Sequence, residues 1–243
     1  MILVIDIGNT STTVGTFRDG RLVGPYFFRT AELGESSFKK LPNVSDAVIC
    51  SVVPKVNERA KKTVKKTFGV SPLIADHTNI PIEIKYPRPF ELGADRLVNA
   101  FGALGIYKPP FIVIDLGTAT TFDYVDPLGR YIGGPIVAGP ATINTALYLA
   151  ASKLPNAPIK RTEKIFPRST VEAIQIGVYQ GYIGLVERLL KMMLSKAPKG
   201  TKVIATGGFA KLLAKDISQI NKIDTHLTLK GLCRMVSSRL GSL

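Results

Sequence analysis

The chain writes one stretch twice. Near its start it reads Ile2-Leu3-Val4-Ile5-Asp6-Ile7-Gly8-Asn9-Thr10-Ser11-Thr12-Thr13, and later Phe111-Ile112-Val113-Ile114-Asp115-Leu116-Gly117-Thr118-Ala119-Thr120-Thr121. Each copy runs from apolar, largely β-branched residues into Asp, then through one more apolar residue to Gly and a hydroxyl-rich tail. The run predicts a buried strand. The Asp and Gly predict a tight turn at its end, with amide N–H groups and hydroxyls turned toward a ligand. After each tail come a second apolar run, a turn (Asp19-Gly20 in one copy, Asp126-Pro127-Leu128-Gly129 in the other) and a third run. The doubled unit predicts an α/β protein of two similar halves facing each other across a cleft, with an acidic turn from each at its mouth. Either Asp alone could merely cap a turn; the shared context favours a paired role.

Composition narrows what the halves can be. A chain of 243 residues can bury a full core as one large or two modest domains. No apolar run approaches the roughly 18 residues of a membrane span. Met1 leads into a strand without a basic leader, so no secretory signal is expected. Cys50 and Cys233 are too few for a disulfide framework and lack metal-ligand spacing. A cytoplasmic, thiol-reduced protein is the expectation. The net charge of +14 fits attraction of phosphates or of nucleic acid. The lysines are scattered with little aromatic interleaving, so a single-strand stacking platform is missing and nucleic acid is not the expected partner.

Between the copies, Asp46–Val53 reads as another buried strand, and Val56, Ala60, Val64 and Phe68 mark the inner face of a helix. Its lysines, Lys61, Lys62, Lys65 and Lys66, are read as a solvated face. A proline-stiffened connection with Tyr86 leads into Gly93-Ala94-Asp95-Arg96, the start of a helix expected to reach Tyr107. After the second copy, helices are expected from Thr142 to Ala151, from Thr170 onward, from Phe209 to Leu213 and from Leu229 to Leu240, with a strand at Lys202–Thr206 ending in Gly207-Gly208. Gly177, Gly181 and Gly184 weaken the long helix, and close packing of backbone against backbone or ligand is the expected reason.

These residues suit phosphoryl transfer, which needs positioning and charge neutralisation more than covalent chemistry. Gly8, Asn9, Thr10 and Thr12 can hold nucleotide phosphates, and Asp6 can hold Mg²⁺ through water. Asp115 and Thr118 can take a cation or phosphate, and Gly207-Gly208 leave room for a base or ribose. Asp95 remains to accept the proton of an attacking hydroxyl, with Arg96 gripping an anionic acceptor. A free Asp titrates near 4, so position rather than a raised pKa is expected to matter. Neither a G-x-x-x-x-G-K-[ST] nor a G-x-G-x-x-G loop occurs, which excludes the P-loop and protein-kinase architectures.

Asp6-Ile7-Gly8-Asn9-Thr10, Gly93-Ala94-Asp95-Arg96 and Asp115-Leu116-Gly117-Thr118-Ala119-Thr120-Thr121, in that order and spacing, resemble the three motifs of the type III pantothenate kinase family. Gly207-Gly208 and Leu229-Lys230-Gly231-Leu232 are similar to its C-terminal signatures. The resemblance implies a duplicated ribonuclease-H-like fold of the actin, Hsp70 and sugar-kinase type, with domains at 1–108 and 109–243. It implies phosphorylation of pantothenate by ATP with Mg²⁺ and a monovalent cation, K⁺ or NH₄⁺, in a homodimer. Asp6, Ile7, Gly8, Asn9, Thr10, Ser11, Thr12 and Thr13 would form the ATP phosphate loop, Asp95 the base and Asp115 the potassium ligand. Thr118 would touch ATP, and Tyr86, Gly93, Ala94, Arg96 and Thr170 would touch pantothenate. Arg88, Ala138 and Pro167-Arg168-Ser169 depart from the family pattern, around the acceptor. Three alternatives stay open: a non-catalytic, nucleic-acid-associated homologue, a phosphatase or polyphosphatase on the same two-domain architecture, and a kinase of another small hydroxy carboxylic acid.

Overall fold

The computed structural model describes residues 1–39, 41–239 and 241. The chain divides into two compact units, Met1–Tyr107 with His226–Leu243, and Lys108–Thr225. The expected domains were 1–108 and 109–243; residues 226–243 join the first unit instead.

In the first unit, β1 (Ile2–Ile7), β2 (Ser11–Arg18) and β3 (Arg21–Arg29) form an antiparallel meander, and β3 runs past Val23, where the opening unit was expected to end. Next come β4 (Asp46–Ser51), α1 (Pro54–Phe68), β5 (Leu73–Ile74) and α2 (Ala94–Leu104). The sheet order is β3-β2-β1-β4-β5, with β4 parallel to β1. Strand alternation sends Leu3, Ile5 and Ile7 into a core closed by Ala60 and Val64 of α1. Burying each large side chain there contributes about 1.5–3 kcal/mol. On the outer side of α1, Lys61 pairs with Glu58 and Lys66 with Glu35.

The second unit repeats the plan. It contains β6 (Phe111–Leu116), β7 (Ala119–Val125), β8 (Tyr131–Gly133), β9 (Ile136–Ala138), α3 (Pro140–Ala150), α4 (Thr170–Leu194), β10 (Lys202–Thr206), α5 (Ala210–Leu213) and β11 (Lys222–Ile223). Its sheet runs β8-β7-β6-β10-β11, with β9 also paired to β7. Counted from the meander's third strand, this is the order of the first sheet, and β10 lies parallel to β6 as β4 does to β1. Ile112, Ile114 and Leu116 pack on Tyr179, Tyr182, Val186 and Leu190 of α4. Duplicated order and duplicated motif thus coincide.

Three expectations are corrected. Asp6 and Asp115 are not turn residues: each is the penultimate residue of its strand, paired with Thr13 and Thr121 respectively. Helix α2 stops at Leu104, short of Tyr107. Gly177, Gly181 and Gly184 were expected to pack closely against backbone or a ligand, yet among the described residues a Cβ at any of them would meet nothing within 4 Å. They form an exposed stripe along α4.

The last helix, α6 (Leu227–Arg239), starts before the expected Leu229; the expected end, Leu240, lies outside the described residues. It returns to the first unit because Leu227, Leu229, Leu232 and Met235 are buried there. Gly102 of α2 meets Gly231 of α6 so closely that a Cβ on Gly102 would lie 2.9 Å from the Gly231 Cα. A Cβ on Gly231 would overlap the Val98 carbonyl. Gly231→Ala is therefore expected to destabilise the fold by ~1–3 kcal/mol, despite its gain in helix propensity. A lowered denaturant midpoint with unchanged m-value is the reading that checks this.

Candidate active site

The first loop is tied down on its inner side. Gly8 N–H donates to the Ser11 carbonyl at 3.0 Å, closing the turn between β1 and β2. The Thr30 hydroxyl donates to the Gly8 carbonyl at 2.7 Å and shares a hydrogen bond with the Thr12 hydroxyl at 3.0 Å. Arg59 of α1 holds the Thr30 carbonyl at 3.1 Å. Thr12 is wholly buried, so its hydroxyl braces the loop rather than facing a phosphate, contrary to expectation. Ile7 likewise sends its side chain into the core. Asn9, Thr10 and Ser11 are exposed, Asp6, Gly8 and Thr13 half-buried. Thr30 and Arg59 carried no sequence signal; only the fold brings them under the loop.

The second motif opens α2. Gly93 is its N-cap, and without a side chain there the first-turn N–H groups are met from inside the helix: Asp95 Oδ1 accepts the Arg96 N–H at 2.9 Å. This folds the carboxylate back over Gly93, where a Cβ would strike Oδ1. The Gly-x-Asp spacing therefore has a steric reason. Burial pushes the Asp95 carboxyl above its ordinary range, against the pull of the Arg96 N–H and guanidinium. Position was expected to matter more than a raised pKa; the structure adds a raised pKa and so a stronger base. Ala94 starts the helix beside it, and Arg96 is buried. Tyr86 lies half-buried in the connection before the helix. Arg88 is exposed and paired with Glu91 at 3.1 Å.

In the second unit, Asp115 sits between Thr121 of β7 and Thr206 of β10 in the sheet register. Gly207, at φ 92°, turns the chain across it: a Cβ would overlap Asp115 Oδ1 and approach the Leu116 nitrogen to 2.7 Å. Gly208 is exposed, with open space around it. Thr118 is exposed, while its carbonyl accepts the Gly139 N–H at 2.9 Å and the Thr142 hydroxyl at 2.6 Å. From sequence Thr142 was read only as the start of a helix, and neither it nor Gly139 was expected to hold the Thr118 carbonyl. Beneath this loop Tyr182 shares a hydrogen bond with Thr120. Burial pushes its phenol up to about 12, with the charge of Asp115 adding to the shift, so it stays protonated.

Thr170 opens α4 at the edge of an apolar pocket of ≈ 330 Å³ lined by Ile143, Leu147, Leu154, Ile174 and Val178. The departure at Ser169 has a local use: its hydroxyl caps α4 by accepting the Glu172 N–H at 3.2 Å, and Glu172 answers with the Arg168 N–H at 2.7 Å. Ala138 ends β9, opposite Ala119.

A family model described as type III pantothenate kinase matches residues 2–192. The chain belongs to the type III pantothenate kinase family. A member from Geobacter sp. (strain M21) is 38% identical over 258 residues, spanning 98% of this chain and 99% of the relative. Two solved structures share the fold at low identity. One, described as a Baf family transcriptional activator from Campylobacter jejuni, is 20% identical with a TM-score of 0.63, covering 98% and 99% of the two chains. The other, an inorganic polyphosphate/ATP-glucomannokinase from Arthrobacter sp. strain KM, is 14% identical with a TM-score of 0.52, covering 98% of each. The fold is thus one that this chain shares with the glucomannokinase.

The raised pKa of Asp95 makes a stability statement. A carboxyl favoured as the neutral acid in the fold contributes stability below its unfolded pKa and forfeits it as pH rises through the folded value. Asp95→Asn, which cannot ionise, is therefore expected to melt above the parent chain at pH 7–8. The two melting temperatures should converge as pH falls toward ~4.

Proposed function

We propose that the chain phosphorylates the terminal hydroxyl of pantothenate with ATP, the first step of coenzyme A synthesis, and that Asp95 is its base. Family membership supports the reaction. The observation that carries the mechanism is the Asp95 carboxyl, folded over Gly93, raised by burial and set beside the buried Arg96.

On this reading Gly8, without a side chain, lets ATP phosphates approach Asn9, Thr10, Ser11 and Thr13, on a loop that Thr12, Thr30 and Arg59 keep from collapsing. Asp95 takes the proton as the pantothenate oxygen bonds to the γ-phosphorus and the bond to the β-phosphate oxygen breaks, releasing ADP. The Arg96 guanidinium grips the acceptor's carboxylate. Tyr86, Gly93, Ala94 and Thr170 are read as further acceptor contacts, Thr118, Gly207 and Gly208 as contacts to ATP.

The two cations suit the residues available. Among the described residues no group of three or more His, Cys, Asp and Glu could hold a metal ion by itself. Mg²⁺ typically takes one or two carboxylates plus substrate phosphates, which fits Asp6 with ATP. Asp115, flanked by threonines and cradled where Gly207 lacks a Cβ, offers the oxygen ligands that K⁺ or NH₄⁺ needs. When bound, the cations neutralise charge on the transferring phosphate. The reading puts the protein in the cytoplasm, where ATP is supplied; no described helix is long and apolar enough to cross a membrane.

A homodimer is part of the proposal. Leu149, Ile165 and Phe166 of the second unit are 75%, 65% and 85% exposed, Leu147 and Val171 less so, and the bare glycine stripe of α4 would admit a second backbone closely. Gly181→Leu is expected to convert a dimer to a monomer in size-exclusion chromatography with light scattering, with helical content unchanged. A dimer of unchanged affinity would remove this face from the interface.

The deciding assay is steady-state phosphorylation of pantothenate with Mg-ATP, in potassium or in sodium. Product formed only with potassium is expected. Asp95→Asn should lower turnover by ~10²–10⁴-fold with ATP affinity little changed, and Asp115→Ala should blunt the potassium response. ATP binding without product would instead direct a screen of other small hydroxy acids.

A further inference from the structure

Helix α2 carries Asp95 on its first turn, yet its seating is set from the far end of the chain. Asn99 lies one turn beyond Asp95 on the same side of the helix and is buried. Its Oδ1 accepts the Thr228 hydroxyl of α6 at 2.7 Å. One turn further along α2, Gly102 and Gly231 let the two backbones touch. Next to them Arg234 donates to the Phe101 carbonyl at 2.6 Å, its guanidinium carbon 4.2 Å from the Phe101 ring centre.

These contacts do different things. The glycine crossing sets how near the helices come, but two surfaces without side chains can still roll over each other. The hydrogen bond from Thr228 has direction, and it fixes the rotation of α2 at the turn nearest Asp95. Because the Asp95 carboxylate is fastened to the first turn through the Arg96 N–H, any roll of the helix carries the carboxylate with it. We propose that Thr228 is a positioning residue: through Asn99 its hydroxyl holds α2 in the rotation that aims Asp95 at the acceptor hydroxyl. The inference rests on reading Asp95 as the base.

The test is a cycle of four proteins: the parent chain, Thr228→Val, Asp95→Asn and the double variant, with Thr228→Ser as the control that keeps the hydroxyl. Misplacing a reacting group by ~1 Å can cost as much as 10²-fold in rate; for one lost hydrogen bond a fall in kcat of roughly tenfold is expected. KM for ATP should stay within about twofold, and Thr228→Ser should match the parent. In the Asp95→Asn background, Thr228→Val should add less than about twofold, since no base remains to misaim. An equal fall in both backgrounds, or none in either, would overturn the positioning role. Parent-like turnover in Asp95→Asn would overturn the reading of Asp95 itself, a distinct result. Thermal melts of every variant accompany the rates. If Thr228→Val does not fold, Thr228→Ala, which also removes the hydroxyl, takes its place in the same two backgrounds, with the same outcomes deciding.

Discussion

In both units everything depends on a central strand that is dry from its second residue to its last, except at the penultimate Asp. β1 and β6 have partner strands on both edges, and their apolar residues from the second position to the fourth are wholly buried. A carboxylate could not ionise in the middle of such a strand without a partner. At the penultimate position Asp6 and Asp115 are half-buried, and each has a threonine of the antiparallel neighbour opposite. The end of the strand is therefore where charge first becomes affordable, and where an open sheet leaves room for ligands beyond its carboxyl ends. The glycines that follow, Gly8 and Gly117, then turn the backbone, each donating its N–H within the turn, to the Ser11 and Ala119 carbonyls.

The second acidic site obeys another constraint. Asp95 is not at a strand end but in a helix's first turn, where the N–H groups lack partners and favour negative charge. Its carboxyl is nonetheless raised, because burial outweighs that help. A carboxyl so balanced can accept a proton near neutral pH more readily than an exposed one. On the proposed reading the strand-end carboxylates suit cations and the helix-start carboxylate suits a proton.

Much of this was legible in the sequence. The duplicated run from Ile2 and from Phe111 gave the two meanders, and the identical strand order follows from identical patterning. The motif residues Asp6, Asp95, Asp115 and Gly207 fell at element ends as their chemistry requires. What could not be read was contact between distant residues. Thr12 looked like a phosphate ligand until Thr30 appeared beneath it, and Asn99 looked like any helix residue until Thr228, 129 positions on, reached it. The glycines of α4 meet the same limit: a bare helix face implies a neighbour, and none of the described residues supplies one. The raised pKa of Asp95 escaped because burial belongs to the fold and not to the local string.

The central claim is that a burial-raised Asp95 removes the acceptor's proton. The most direct measurement is kcat/KM for pantothenate against pH, for the parent chain and for Asp95→Asn. The account predicts an acid limb in the parent whose midpoint lies above the ordinary aspartate value of ~3.9, absent from the residual activity of the variant. A parent profile flat down to ~4, or the same limb in both proteins, would contradict it.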